Sequence, residues 1–150
     1  MLTLADPLDH ARRTAGDRTA LVCGNVRVDY AALHDRCARL VGALFGLGVQ
    51  AGDRVAVLSL NCHRMVETFF AVPAGGLVVV PLNTRLATAE VGAILADARA
   101  TVLLTDRDPG PLAAHAPRRP LRRWVVRRVR GAPRRRRPGS ARCRGRRAGG

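Results

Sequence analysis

The sequence contains no lysine, and apart from four histidines all its basic side chains are arginines, 26 in number. A basic protein selected to contact phosphates or membranes usually mixes the two residue types, because lysine serves well as a point charge. The all-arginine bias therefore indicates a GC-rich coding sequence. Acidic residues are also missing from one region. Residues 109–150 hold 15 arginines and no Asp or Glu, whereas residues 1–108 hold 11 arginines and 11 acids and are neutral overall.

The sequence also lacks the spacings of a metal site and the long apolar run of a membrane span. Its cysteines form no C-x-x-C pair and have no histidine at ligand spacing, so no zinc site is predicted. Cys23, Cys37 and Cys62 lie in apolar segments, where a free thiol behaves as a small hydrophobic group, and this use fits a reducing cytoplasm. The N-terminus lacks the apolar core of a signal peptide. The longest apolar run, residues 69–82, is short for a membrane span.

The first third of the chain predicts a hairpin followed by an amphipathic helix. A short helix is expected at residues 8–14. Two β-type runs, at residues 19–23 and 26–30, flank Gly24-Asn25, which is a two-residue hairpin signal. Asp29 is placed to cap the next helix. The apolar positions of that helix recur at steps of four and three and therefore share one face: Leu33, Cys37, Leu40, Leu44 and Leu47.

Strands and helices alternate over residues 48–106. After a turn at Gly52-Asp53, three apolar runs predict buried strands, at residues 54–60, 77–81 and 100–105. Asn61 is the predicted N-cap of the first intervening helix and Thr88 that of the second, with Glu90 in its first turn. The side chains expected to face inward are Met65, Val66, Phe69 and Phe70 in the first helix, and Val91, Ile94 and Leu95 in the second. This alternation indicates an α/β fold with a parallel sheet flanked by helices and joined by right-handed crossovers.

A different composition begins at Pro109. Arg, Pro, Gly and Ala make up 33 of the 42 residues from there to the end. Self-repulsion and the Pro content predict a disordered tail, and the few bulky apolar residues, such as Trp124, are too few to form a core. We therefore divide the chain into a lead-in at residues 1–16, an incomplete α/β region at 17–108 and a tail at 109–150.

Four segments carry a family resemblance: GVQAGDRVAVLSLN at residues 48–61, FFAVPAGG at 69–76, VVVPLNTRL at 78–86 and ILADARATVLLTD at 94–106. In this order and spacing they resemble the N-terminal part of the AMP-forming acyl- and aryl-CoA synthetases, which belong to the adenylate-forming superfamily. The resemblance runs from Asp17 to Asp106. FFAVPAGG followed by LNTRL is more similar to the fatty-acyl-CoA ligases within it.

The resemblance implies an activity that needs parts which this sequence lacks. The family activates a carboxylic acid with ATP and Mg²⁺ to an acyl-adenylate and then transfers the acyl group to CoA. It uses a Ser/Thr/Gly-rich loop around the pyrophosphate and a lysine from a mobile C-terminal domain. The sequence contains no such loop and no lysine. No catalytic, cofactor-binding or metal-binding residue is therefore assigned, no cofactor is expected for these residues, and we expect them to be inactive by themselves.

Three explanations of the chain follow. In the first it is a truncated synthetase whose tail arises from a shifted reading frame, which translation of the downstream DNA in all frames would test. In the second it pairs with a separately encoded remainder. In the third, of a different class, it binds nucleic acid or another polyanion through the Arg-rich tail. Trp124 is the only aromatic residue there, so a base-stacking platform is not indicated, and incidental binding is the simpler interpretation.

Several local patterns invite a functional interpretation that their spacing does not support. Gly75-Gly76 lacks the G-x-G-x-x-G spacing of a dinucleotide loop and is interpreted as a helix-to-strand turn. Adjacent helix residues point about 100° apart, so Cys62 and His63 are not interpreted as a nucleophile and its base. Asp53 is assigned to a turn and Arg54 to a strand edge. The remaining histidines have no pattern of partners: His10, His34 and His115.

Overall fold

A computed structural model describes residues 6–106 and the backbone of residues 123–126. Four helices and six strands lie in these ranges: α1 Asp6–Ala15, β1 Thr19–Cys23, β2 Val26–Asp29, α2 Tyr30–Gly46, β3 Arg54–Leu58, α3 His63–Ala74, β4 Val78–Pro81, α4 Thr88–Asp97, β5 Val102–Thr105 and β6 Arg123–Val126. Within residues 6–106, no helix combines the length and the apolarity needed to cross a membrane.

The predicted hairpin and the amphipathic helix that follows it form as the sequence indicates. Strands β1 and β2 pair in antiparallel fashion, and Gly24 at their turn has a φ of 60°, which glycine adopts without steric cost. The Asp29 carboxylate accepts a 2.7 Å hydrogen bond from the Ala32 N–H and so caps α2 as predicted. On the predicted apolar face of α2, Leu33, Cys37 and Leu44 are buried, while Leu40 and Leu47 are half-buried.

Strands β3 to β6 form the predicted parallel sheet, in the spatial order β4-β3-β5-β6. Alternate residues of β3 face opposite sides of it. Val55 and Val102 pack with Leu44 of α2 and Val72 of α3, whereas the other face packs against α4. The cluster on that second face comprises Ala56, Leu58, Leu82, Val91, Leu95, Ala100 and Leu103. The sheet is therefore covered on both sides, as its near-continuous apolar strands require.

The strand ends and the buried face of α3 differ from the prediction. Strand β3 ends at Leu58, and Leu60 is 63% exposed. Helix α3 is preceded by Cys62 as its N-cap, and not by Asn61. Its buried residues are Glu67, Thr68, Ala71 and Val72, whereas Met65, Phe69 and Phe70 are half-buried and Val66 is exposed. The reason is that α3 packs against α2 as well as the sheet, so its buried face is not a single apolar stripe.

Two further predictions about β4 and α4 were wrong in detail. Strand β4 was expected to be buried, but it lies at the edge of the sheet and Val78 is 46% exposed. The N-cap of α4 is Ala87 rather than Thr88, and the Glu90 carboxylate accepts the Ala87 N–H at 2.7 Å. Val91 and Leu95 are buried as predicted, but Ile94 is 37% exposed. An apolar run thus predicts a strand without indicating its place in the sheet.

Strand β6 corrects the prediction of a uniformly disordered tail. Residues Arg123–Val126 pair in parallel with β5, with Val102 opposite Arg123 and Thr105 opposite Val126. The short apolar run around Trp124 is therefore part of the sheet. The rest of the predicted tail, like the lead-in before Asp6, lies outside the described residues.

Candidate functional site

The candidate site lies where the chain reverses its direction of travel across the sheet. From β3 the chain crosses to β4 on one side and then returns past β3 to β5 on the other. Strands β4 and β6 therefore lie on opposite sides of the neighbouring pair β3 and β5, and a crevice lies at the carboxyl ends of that pair. Open α/β sheets bind ligands at such a topological switch point. The residues that directly follow β3 and β5 are therefore the candidates.

Ser59 and Asp106 join the two strand ends across this crevice. The Ser59 hydroxyl donates a hydrogen bond to Asp106 Oδ2 at 3.1 Å, and the Leu60 N–H donates to the same oxygen at 3.4 Å. Ser59 Oγ also lies 3.8 Å from the Cys62 sulfur. One carboxylate thus holds the β3–α3 loop against the end of β5.

The crevice itself is small and has apolar walls with a polar rim. Its volume is about 90 Å³, and its lining comprises Leu40, Val57, Ser59, Arg64, Met65, Glu67, Thr68, Leu104, Thr105 and Asp106. Pockets for small molecules and cofactors usually measure about 300–1,000 Å³. No cluster of three metal-ligating side chains occurs within the described part of the chain. The crevice is therefore smaller than a pocket that usually holds a cofactor.

A part-buried ion pair connects α2 and α3, and its Glu67 belongs to the lining of the crevice. Arg36 Nη1 lies 3.0 Å from Glu67 Oε1, and the two side chains are 37% and 11% exposed. The neighbouring Cys37 thiol donates to the Glu67 carbonyl oxygen at 3.5 Å. Burial, and secondly the Glu67 charge, raises the pKa of Cys37 from 9.0 to about 11. Cys37 is therefore a protonated packing residue at neutral pH.

Helix α3 begins at His63, and Cys62 is its N-cap. Among the hydrogen bonds of the described residues, none joins the side chains of Cys62 and His63. His63 Nδ1 is buried without a hydrogen-bond partner among those residues. Burial lowers the pKa of His63 below 6.5, while the Glu67 charge opposes the shift. The Cys62 sulfur instead contacts Ser59. The side chains of both residues are half-buried.

The other residues singled out from the sequence are structural. Gly76 has a φ of 66° in the turn between α3 and β4, which confirms the predicted turn at Gly75-Gly76. Asp53 Oδ2 accepts the Gln50 N–H at 2.9 Å, as expected of a turn residue. His34 does have a partner, because its Nε2 lies 3.0 Å from Asp9 Oδ1. Nothing in the sequence spacing indicated that pair, since α1 and α2 meet only in the fold. His115 lies outside the described residues.

A second, larger groove of about 600 Å³ lies between α1, α2 and α3. Its walls include Val41, Phe70 and Pro73, and its rim includes the carboxylates of Asp6 and Asp9. Asp9 lies 3.0 Å from His34, which also lines this groove.

A doubly covered parallel sheet with a crevice at its switch point defines a class of ligand-binding α/β domain, and comparison with known proteins specifies the family. The sequence matches the AMP-binding enzyme family over residues 8–142, and the chain belongs to that family. The match extends past Asp106, where the resemblance was expected to end, and it includes β6.

The relatives are acid–CoA ligases. A peroxisomal benzoate–CoA ligase from Arabidopsis thaliana is 36% identical over 106 residues, which cover 71% of this chain and 18% of the relative. A long-chain-fatty-acid–CoA ligase from Thermus thermophilus is 42% identical over 115 residues, which cover 74% and 21%. The crystal structure of the N-terminal domain of FACL13 from Mycobacterium tuberculosis has a TM-score of 0.71 at 31% identity and covers 76% of this chain and 30% of that one. The chain thus spans about a fifth of the length of these curated relatives.

Proposed function

We propose that this chain forms the N-terminal α/β part of an AMP-forming acid–CoA ligase. The whole enzyme would activate a carboxylic acid with ATP and transfer the acyl group from the adenylate to CoA. The observation that carries the proposal is the family match, which covers every described strand and is supported by relatives that are CoA ligases.

A fatty acid is the substrate class that we propose, and the cytoplasm is the proposed location. The substrate proposal rests on FFAVPAGG followed by LNTRL, and on the relative that acts on long-chain fatty acids. A benzoate–CoA ligase is also among the relatives, at 36% identity, so an aryl acid is the alternative substrate class. Three free cysteines among the described residues fit a reducing compartment.

The contribution of this part is proposed to be structural. The crevice at the switch point is too small for a nucleotide, and the sequence has neither a Ser/Thr/Gly-rich phosphate loop nor a lysine. These 150 residues by themselves would therefore hold no ATP, Mg²⁺ or CoA and would catalyse neither half-reaction. They would supply one covered sheet on which the rest of the enzyme packs.

A chimera tests this proposal. Residues 17–106 would replace the matching segment of the Thermus thermophilus ligase, and AMP formation would be measured with a long-chain fatty acid, ATP and CoA. We expect the chimera to form AMP and the 150-residue chain alone to form none. The matched control is the chimera with Val55→Asp, which places a charge in the fully buried centre of β3 and should abolish folding and activity.

Two results would contradict the proposal. A folded chimera without activity would show that this segment is not a ligase scaffold. AMP or pyrophosphate formation by the 150-residue chain alone would show that it is more than a scaffold.

A further inference from the structure

The groove between α1, α2 and α3 combines apolar walls with two carboxylates. Val41, Phe70 and Pro73 contribute to its walls, and its volume is about 600 Å³. Within the described part of the chain, its lining includes the carboxylates of Asp6 and Asp9 and no arginine. The groove therefore presents negative charge beside apolar and aromatic surface.

Arginine is the side chain whose chemistry matches both features. Its methylene stem packs along apolar surface while its charged end stays at the rim, and the planar guanidinium stacks on aromatic rings and pairs with carboxylates. Phe70 is half-buried, so part of its ring is accessible. Asp9 lies 3.0 Å from His34 Nε2, but the Asp9 side chain is 47% exposed and a carboxylate accepts several hydrogen bonds. Ring and carboxylate can therefore both contact an arginine.

The chain itself supplies an arginine-rich segment directly after β6. Residues 127–150 contain 11 arginines and no Asp or Glu. They follow Val126, the last residue of β6, so they are tethered to the sheet that α2 and α3 cover. At about 3.3 Å per residue these 24 residues span up to roughly 80 Å, whereas a 100-residue domain has a radius of gyration of only about 13 Å. The tether therefore reaches the groove, and it provides an effective concentration on the order of millimolar.

We propose that the Arg-rich segment at residues 127–150 docks in the groove between α1, α2 and α3, with its guanidinium groups at Asp6 and Asp9. The contact is intramolecular and reversible, because exposed ion pairs are individually weak and are screened by salt. It depends on the charge of the segment, so it does not depend on how the sequence of the tail arose. It is also independent of the proposed function, since the groove and the crevice have no lining residue in common.

Paramagnetic relaxation tests the docking in the whole 150-residue chain. A nitroxide is attached to Cys143 after the substitutions Cys23→Ser and Cys62→Ser, whereas Cys37 is buried and stays in place. The nitroxide broadens the amide signals of nearby residues in a ¹⁵N-correlated spectrum. We expect the residues that line the groove to lose most of their signal intensity relative to the same sample with the nitroxide reduced. The amides of α4 should keep theirs, because α4 covers the opposite face of the sheet.

Two pairs of charge variants supply the matched control. Asp6→Asn with Asp9→Asn removes two negative charges from the groove, whereas Asp35→Asn with Asp97→Asn removes two from outside its lining. The first pair should restore the signals of the groove and the second should not. Replacing the 11 arginines of residues 127–150 with glutamine should restore them too. Salt at about 1 M should have the same effect, because the Debye length is then about 3 Å.

Equal broadening of the groove and of α4 would overturn the proposal, and so would the absence of broadening from both. Equal restoration by the two pairs of charge variants would overturn it as well, because the net charge and not the groove would then determine the contact. Broadening of a ¹⁵N-labelled chain by a separate, spin-labelled chain would identify a second copy as the partner and refute the intramolecular contact. If the variant with Asp6→Asn and Asp9→Asn unfolds, the glutamine variant decides, since it changes no residue of the four helices.

Discussion

Replacing Arg36 with methionine should destabilise the protein by about 2 kcal/mol. The substitution removes the cation that lies 3.0 Å from Glu67 and leaves a carboxylate that is only 11% exposed. Breaking a fully buried pair costs about 3–5 kcal/mol, because an uncompensated charge stays buried. A surface pair contributes about 0–1 kcal/mol. Because the Arg36 side chain is 37% exposed, solvent screens the pair and the expected cost lies between these limits.

Glu67→Met supplies the matched comparison. It removes the buried carboxylate itself, and the Arg36 guanidinium is exposed enough to be solvated in its absence. The bond from the Cys37 thiol is unaffected because its acceptor is the backbone carbonyl. Glu67→Met should therefore cost about 1 kcal/mol less than Arg36→Met, and the double variant should be no less stable than Arg36→Met alone.

Urea unfolding of the whole chain at pH 7, followed by far-UV circular dichroism, measures these differences. The comparison requires that the dependence of the free energy on urea concentration is the same for all variants. Equal destabilisation by the two single variants would refute the reasoning, because it would mean that lost packing and not a stranded charge sets the cost. A double variant less stable than both single variants would refute it as well.

Three other predictions concern titration and backbone geometry. The pKa of Cys37 is raised from 9.0 to about 11 in the folded state, so the unfolded chain loses this proton first as the pH rises. The free energy of unfolding should therefore fall by up to about 3 kcal/mol between pH 9 and pH 11. Cys37→Ala should remove this fall in urea titrations. Burial lowers the pKa of His63 in the folded state, so the unfolded chain binds a proton there first as the pH falls. The free energy of unfolding should therefore be unaffected by His63 above pH 6.5 and should decrease as the pH drops below it. His63→Gln should weaken that dependence in urea titrations. Gly42→Ala should stabilise the protein by about 0.5–1 kcal/mol, because alanine has the higher helix propensity and nothing lies within 4 Å of the added Cβ in α2. Gly52→Ala should destabilise it by about 1 kcal/mol, because φ there is +84°. Thermal unfolding compares the two variants.

Local patterns were sufficient to predict most elements of the fold. The Gly24-Asn25 turn, the Asp29 cap and the three apolar runs each depend on residues close together in sequence, and the structure confirms the hairpin, the cap and the parallel sheet. Periodicity failed where a helix contacts more than one element. Helix α3 buries Thr68 and Ala71 because it packs against both α2 and the sheet, and a single apolar stripe does not describe that environment.

The candidate site could not be predicted because its residues are distant in sequence. Ser59 and Asp106 are 47 positions apart, and Arg36 and Glu67 are 31 apart. Each pair meets only through the strand order or through helix packing, which apolar runs do not encode. The one available signal was that Asp106 directly follows the predicted strand at residues 100–105, whereas Ser59 lies inside the predicted strand at residues 54–60. Placing them together required knowledge that β3 and β5 are neighbours although β4 lies between them in sequence.

Strand β6 changes the interpretation of the Arg-rich tail. The tail was predicted to be disordered and to arise from a shifted reading frame. The family match runs through residue 142, and β6 pairs with β5 from Arg123 to Val126. The family match and the sheet therefore both include residues of the tail, while a shift of reading frame within it stays a prediction that translation of the downstream DNA in all frames would test.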